Sequence, residues 1–446
     1  MYYQRSTLLT LIFALVLLIS ACDEDSNNKA SGDFRVTIEN VGESYPVTNS
    51  GNFTTPVGAS QPAPIFPGDA YEVEFKAPKG SHLSFVTMFV QSNDWFFATG
   101  STGLALYDGS GNQITGDVTS ELNLYDAGTE MDQEAGVGDN QAPRQSGADT
   151  GPMDSNSNVR MVSESGLPAD NEVIKATLTS TGDNTFMLRI ENVSTSSTLQ
   201  TSEGTKPVPL SPGIFAIHSP DQSNLLFEAG MPDYDEGLEA IAEDGDPSTL
   251  TMSLQNKTGI TALLSPGAYA VHSADENPLF TNGQPAMDNG LEEVAEDGAP
   301  SMLATALGSM DNVSSAGAFN TPGGSSSAGP LLPGNSYSFT FTAEEGEYLT
   351  LATMYVQSND LFYAPDQMGV ALFDEEGMPV TGEITSSRML WDAGTEMNEM
   401  PGFGHNQAPR QSGADTGPMD SNSNVRPVND SYTYSDILQV TVEIAE

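Results

Sequence analysis

Apolar and polar positions alternate along most of the chain in short runs, and clusters of Gly, Pro, Asn, Asp and Ser separate the runs. Phe34, Val36 and Ile38 fall on one face of an extended segment, with Arg35, Thr37 and Glu39 on the other; Phe186, Leu188 and Ile190 repeat the arrangement. Period two predicts half-buried strands, because successive side chains of a strand point to opposite faces. Helical spacing is confined to short stretches such as Leu238, Ile241 and Ala242, with Gly245 where a helix C-terminus favours glycine. Residues 103–115 and 369–381 place apolar alternation beside a Gly-containing turn and predict hairpins. The expected class is mainly β: two antiparallel β-sandwich domains with a few short helices.

Two domains follow from a long internal repeat. Gln91-Ser92-Asn93-Asp94 recurs as Gln357-Ser358-Asn359-Asp360, and Asp126-Ala127-Gly128-Thr129-Glu130-Met131 recurs as Asp392-Ala393-Gly394-Thr395-Glu396-Met397. Residues 140–160 recur unchanged as 406–426, always at an offset of 266. This period is far longer than the roughly 20–50 residues of solenoid repeats. Matching strand patterns place the first unit at 34–180 and the second at 185–446, with Thr181-Gly182-Asp183-Asn184 as the junction. The second unit opens with its own smaller duplication, 185–248 and 250–301. In it Ser211-Pro212-Gly213, His218 and Glu243-Asp244-Gly245 match Ser265-Pro266-Gly267, His272 and Glu296-Asp297-Gly298.

The start of the chain reads differently. Arg5 precedes a short apolar run, residues 8–19, and then Ser20-Ala21-Cys22. The run is too short to span a bilayer comfortably and suits a secretory signal. Small residues before Cys22 form a lipobox, so residues 1–22 are expected to be a lipoprotein signal and Cys22 the lipidation site. Two or three acyl chains would hold the protein on a membrane, each buried methylene contributing about 0.8 kcal/mol. Residues 23–33 read as a polar tether. The expected location is the cell envelope, at the periplasmic face or the cell surface. Cys22 is the sole cysteine, which rules out intramolecular disulfides, cysteine zinc clusters and a thiol nucleophile in the folded part.

Net charge is −47, with 14 Lys and Arg against 61 Asp and Glu. Such a field repels nucleic acid and anionic lipid surfaces and suits a soluble protein in a salty medium or one that binds cations.

Specific chemistry enters through a resemblance. Ser-Asn-Asp-Trp-Phe at 92–96, an apolar strand around Ala105, and Tyr-Asp-Ala-Gly-Thr-Glu at 125–130, repeated in the second unit, resemble the spondin N-terminal domain. The smaller duplication, with its Ser-Pro-Gly, His-Ser and Ala-Glu-Asp-Gly stretches, is similar to the bacterial branch of that family. The resemblance covers nearly all of residues 34–446. It implies a C2-like sandwich with one calcium in the loops at one end, held here by Asp94, Asp126 and Glu130 in the first unit and Asp360, Asp392 and Glu396 in the second. Animal members usually carry aspartate where Glu130 and Glu396 stand.

The residues support this without the family. Calcium takes six to eight hard oxygens at about 2.3–2.6 Å, Asp126 and Glu130 flank a Gly-containing turn, and crowded carboxylates repel unless a cation lies between them. The competing reading makes Asp126 a turn cap and leaves Asp94 solvated.

Asp154-Ser155-Asn156-Ser157-Asn158 lacks the glycine and distal glutamate of a calcium loop and reads as a polar turn. His218 and His272 read as strand ends in hydrogen-bonding niches, and Trp95 and Phe96 as core aromatics. No hydrolase or phosphate-loop motif appears, so no enzymatic activity is expected. The function expected is a calcium-binding adhesion or surface-binding module, with an envelope polysaccharide or protein as ligand. The alternatives are an envelope enzyme acting on polysaccharide or lipid, and a structural spacer.

Overall fold

The computed structural model describes residues 29–273, 277–366, 368–385, 388–428 and 437–445. The expected signal peptide and Cys22 lie outside them. The fold is mainly β, built from antiparallel sheets and four short helices among the described residues.

Each half is a sandwich of a large and a small sheet. In the first, the large sheet runs in the order Val47–Phe53, Leu210–His218, His82–Phe89, Trp95–Thr99, Leu122–Asp126, Arg160–Met161; the small one runs Ala70–Lys76, Thr185–Asn192, Ile174–Gly182, Gly116–Asp117. In the second, Val313–Phe319, Leu264–Ser273, Glu347–Tyr355, Leu361–Pro365, Arg388–Asp392 and Arg426–Pro427 repeat the large sheet. Ser336–Glu344, Ser31–Asn40, Leu438–Ile444 and Gly382–Glu383 repeat the small one.

Strand pairing moves the expected boundary. Ser31–Asn40, expected to open the first unit, pairs with Ser336–Glu344 and Leu438–Ile444 of the second sandwich, Phe34 lying opposite Phe341 and Ile444. Thr185–Asn192, expected to open the second, pairs with Ile174–Gly182 and Ala70–Lys76 of the first, Phe186 lying opposite Ser180 and Phe75. The cause is local. Gly182 pairs with Thr185, and Asn184 has φ 58°, so the supposed junction is a tight hairpin turn that folds Thr185–Asn192 straight back. The first sandwich is therefore one continuous stretch, inserted into the second between Ser31–Asn40 and Leu264–Ser273. Buried Asn40 and Asn192 seal equivalent corners. Asn40 Nδ2 donates to the Ala262 and Leu331 carbonyls, both at 2.9 Å, and Asn192 Nδ2 to those of Ile65 at 2.9 Å and Val208 at 2.8 Å.

Other expectations shift in smaller ways. The first strand begins at Ser31, inside the expected tether. The two expected hairpins form but are short: Tyr107 bridges Gln113 and Phe373 bridges Pro379, each flanked by two backbone hydrogen bonds, while Leu104–Ala105 and Val370–Ala371 pair with other strands.

Helices form a third layer. Helix α1 (Leu238–Asp244) and α2 (Ser248–Asn256) place Leu238, Ile241, Leu250 and Leu254 against Val86, Phe96 and Ala98 on the outer face of the first large sheet. Its inner face packs Phe53, Phe85 and Phe97 against Phe75 and Leu188 of the small sheet. Covered on both sides, Trp95–Thr99 is buried throughout rather than alternating. Each such apolar side chain contributes about 1.5–3 kcal/mol by leaving water. Helices α3 (Leu291–Asp297) and α4 (Ser301–Leu307) do the same in the second half. Gly245 and Gly298 end α1 and α3 in the left-handed region, at φ 68° and 64°.

Candidate metal centre

The acidic residues gather where the large sheet ends under the helical layer. Asp126 closes the strand Leu122–Asp126, and the chain then turns through Ala127 and Gly128. Gly128 has φ 73°, and a Cβ there would lie 2.8 Å from the carbonyl oxygens of Asn156 and Asn158. Only glycine fits so tight a turn. Asp126 Oδ1 accepts the Gly128 N–H at 2.7 Å, which leaves its other oxygen to Arg160. Asp94, Asp126 and Asp132 each bring one carboxylate oxygen within 4.8 Å of the others.

Asp94 is fully buried, 0 % exposed. Its Oδ2 accepts the N–H groups of Thr129 at 2.8 Å and Glu130 at 3.1 Å and the Thr129 hydroxyl at 3.2 Å, while its Oδ1 has no hydrogen-bond partner. Burial, opposed by those donors, pushes this carboxyl up to about 6. Burial also raises Asp126, assisted by the charges of Asp94 and Asp132, and raises Asp132.

One cation of the protein already faces the group. Arg160 Nη2 pairs with Asp126, with Asp154 at 2.7 Å and with Asp132 at 3.7 Å. A single guanidinium faces four carboxyl groups, counting Asp94, which leaves the cluster short of positive charge. Asp132 carries no signal in the repeat, because its counterpart is Asn398, and it was not among the sequence candidates. The Trp95 indole N–H, donated to Asp132 Oδ1 at 2.7 Å, fixes it in place.

The second half repeats the geometry with one charge fewer. Buried Asp360 Oδ2 accepts Thr395 N–H at 2.9 Å and Glu396 N–H at 3.1 Å, and its Oδ1 is again without a partner. Burial and the neighbouring Asp392 raise Asp360 to about 7. Asp392 accepts Gly394 N–H at 2.8 Å, Arg426 Nη2 at 2.6 Å, and Asn398 Nδ2 at 2.6 Å.

The chain matches no protein-family model and no curated protein. Among the described residues, no helix is long and apolar enough to cross a membrane.

Glu130 and Glu396, expected beside the aspartates, turn elsewhere. Each carboxylate accepts a backbone N–H from the identical loop, Gly151 and Gly417, and an asparagine amide, Asn93 at 3.1 Å and Asn359 at 3.2 Å. Glu130 thereby joins Asp149 and Glu243 of α1 in a second group with oxygens within 4.8 Å; in the second half Glu292 and Glu296 of α3 and Asp415 form a related group, in which Glu292 takes the place of Glu396. Of these residues the sequence had marked only Glu130 as a ligand, although Glu243 and Glu296 occupy the same place in the smaller duplication.

The remaining candidates are structural. Asp154 caps the Asn156 N–H at 3.1 Å and holds Arg160, so its loop is a polar turn. Trp95 and Phe96 are buried. His218 ends its strand with Nδ1 donating to the Ser219 carbonyl at 2.9 Å, which leaves Nε2, 2.9 Å from Ser84 Oγ, as the acceptor. Burial lowers the pKa of both His218 and His272.

Proposed function

We propose that this is an exported, lipid-anchored envelope protein whose two sandwiches bind calcium at acidic loop clusters and serve as an adhesion or surface-binding module. Asp94, Asp126 and Asp132 hold the ion in the first sandwich, and Asp360 and Asp392 in the second. The observation that carries this reading is the pair of fully buried, unpartnered oxygens, Asp94 Oδ1 beside Asp126 and Asp132 and Asp360 Oδ1 beside Asp392. An unpaired buried carboxylate oxygen is costly, and a divalent ion offsets that cost. Oxygen-only donors on loops suit calcium over softer metals.

The spondin-like motifs support the same ion and a C2-like sandwich, with Glu130 and Glu396 outside the first coordination set. The charge of −47 argues against direct capture of sulfated polysaccharide unless calcium bridges the two. Calorimetric titration of metal-free protein with calcium tests the reading: a stoichiometry that falls by two ions in Asp94→Asn/Asp360→Asn supports it, and heats unchanged by that double substitution refute it. For the anchor, Cys22→Ser should abolish incorporation of labelled fatty acid and release the protein from membranes.

A further inference from the structure

The second acidic group in each half has features the first lacks. Glu130, Asp149 and Glu243 come from three different segments: the turn after Asp126, the loop of residues 140–160, and α1. No Lys or Arg pairs with any of them among the described residues. Glu130 and Glu243 are buried, at 2 % and 1 % exposed, and Glu243 Oε1 has no hydrogen-bond partner. The equivalent Glu296 is 2 % exposed, and its Oε1 is likewise unpartnered within the group of Glu292, Glu296 and Asp415.

Carboxylates gathered without a counter-charge, one with a buried and unsatisfied oxygen, are stable only if a proton or a cation joins them. The surroundings hold the group open. Gly151 gives its N–H to Glu130, and a Cβ at Gly151 would lie 2.1 Å from Glu130 Oε2, so glycine leaves the space that the carboxylate occupies. Gly417 does the same for Glu396, at 2.2 Å. Gln145 Nε2 donates to Asp244 at 2.5 Å and Gln411 Nε2 to Asp297 at 2.6 Å, fastening the same loop to the same helix one residue away.

We infer that Glu130, Asp149 and Glu243 bind a second divalent cation, and that Glu292, Glu296 and Asp415 bind its counterpart, each ion clamping the helical layer to the loop that also caps the aspartate cluster. The ligand class is a hard divalent cation, with calcium as the probe. These sites lie on the seam between sandwich and helix and are independent of whether the aspartate clusters fill. They also give residues 140–160 and 406–426 three tasks in each half: Arg160 or Arg426 on the aspartates, Gly151 or Gly417 on the glutamate, and Gln145 or Gln411 on the helix.

Equilibrium dialysis of the full chain with calcium counts the sites. The glutamate pair predicts that Glu243→Gln/Glu296→Gln lowers saturating stoichiometry by two ions, and that Asp94→Asn/Asp360→Asn leaves those two bound. Gly151→Ala, which displaces Glu130 without touching α1, should weaken the ion of the first half alone. Hydrogen exchange of α1 and α3 should slow on adding calcium to wild type and stay unchanged in Glu243→Gln/Glu296→Gln. Stoichiometry and helix exchange identical in wild type and Glu243→Gln/Glu296→Gln would overturn the proposal. Loss of binding in the aspartate variant alone would leave the proposed function standing and refute this one.

Discussion

The backbone N–H of Glu130 donates to Asp94 Oδ2 at 3.1 Å, and Glu396 donates to Asp360 Oδ2 at the same distance. In the first half one peptide thus serves both acidic groups. Its amide steadies a buried aspartate, while its own side chain turns toward the helical layer. The Thr129 hydroxyl adds a donor to the same oxygen, lying 3.2 Å from Asp94 Oδ2.

The acidic groups set a pH dependence with a definite sign. Burial raises Glu243 and Glu296 to about 8, with the charges of Glu130 and Glu396 adding to it. Asp94 and Asp360 stand at about 6 and about 7. Unfolded carboxyls titrate near 4. Between those values the folded protein keeps protons that the unfolded chain has released, so the stabilisation is full below about pH 4 and is lost as pH rises through the folded values. In chelator, the thermal midpoint should fall between pH 5 and 8.5, and the increase on adding calcium should grow over the same range. A midpoint that rises with pH in chelator contradicts this assignment. Glu243→Gln/Glu296→Gln should flatten the slope.

The glycine turn is a second point of test. At Gly128 a side chain meets the Asn156 and Asn158 carbonyls and a φ of 73°. Gly128→Ala should cost about 1–3 kcal/mol, read by urea denaturation, and weaken calcium binding in the first sandwich while leaving the second intact.

Asn40→Ala tests the inserted topology. It leaves the carbonyls of Ala262 and Leu331 without donors, each costing roughly 1–3 kcal/mol. Amide exchange should accelerate in residues 264–445 and stay unchanged in 47–256. Acceleration confined to the first sandwich would mean that Ser31–Asn40 pairs there instead.

Asp132 and Asn398 set the difference between the two aspartate clusters. Asp132→Asn should reduce calcium affinity in the first sandwich by on the order of tenfold, or about 1.4 kcal/mol, bringing it to that of the second. Competition titration with a chromophoric chelator resolves the two classes.

Much of this was legible in the chain. Period-two patterns in Phe34-Val36-Ile38 and Phe186-Leu188-Ile190 marked strands correctly, and Gly245 marked a helix end. Which strand copy joins which sandwich was not legible, because both copies carry one pattern and the choice rests on a two-residue turn at Asp183-Asn184. The repeat pointed to Asp94 and Asp126, yet it concealed Asp132, whose counterpart is uncharged. It also gave no sign that Glu130 turns away, since that depends on the Gly151 amide, 21 positions along the chain.

The most direct measurement is the thermal midpoint of metal-free protein, with and without saturating calcium, in wild type, Asp94→Asn/Asp126→Asn and Asp360→Asn/Asp392→Asn. Ligand at a hundredfold its Kd adds about 2.7 kcal/mol of stability. The expected result is a calcium-dependent rise in wild type, reduced for the first sandwich alone in one variant and for the second alone in the other. A wild-type midpoint that saturating calcium leaves unmoved contradicts it.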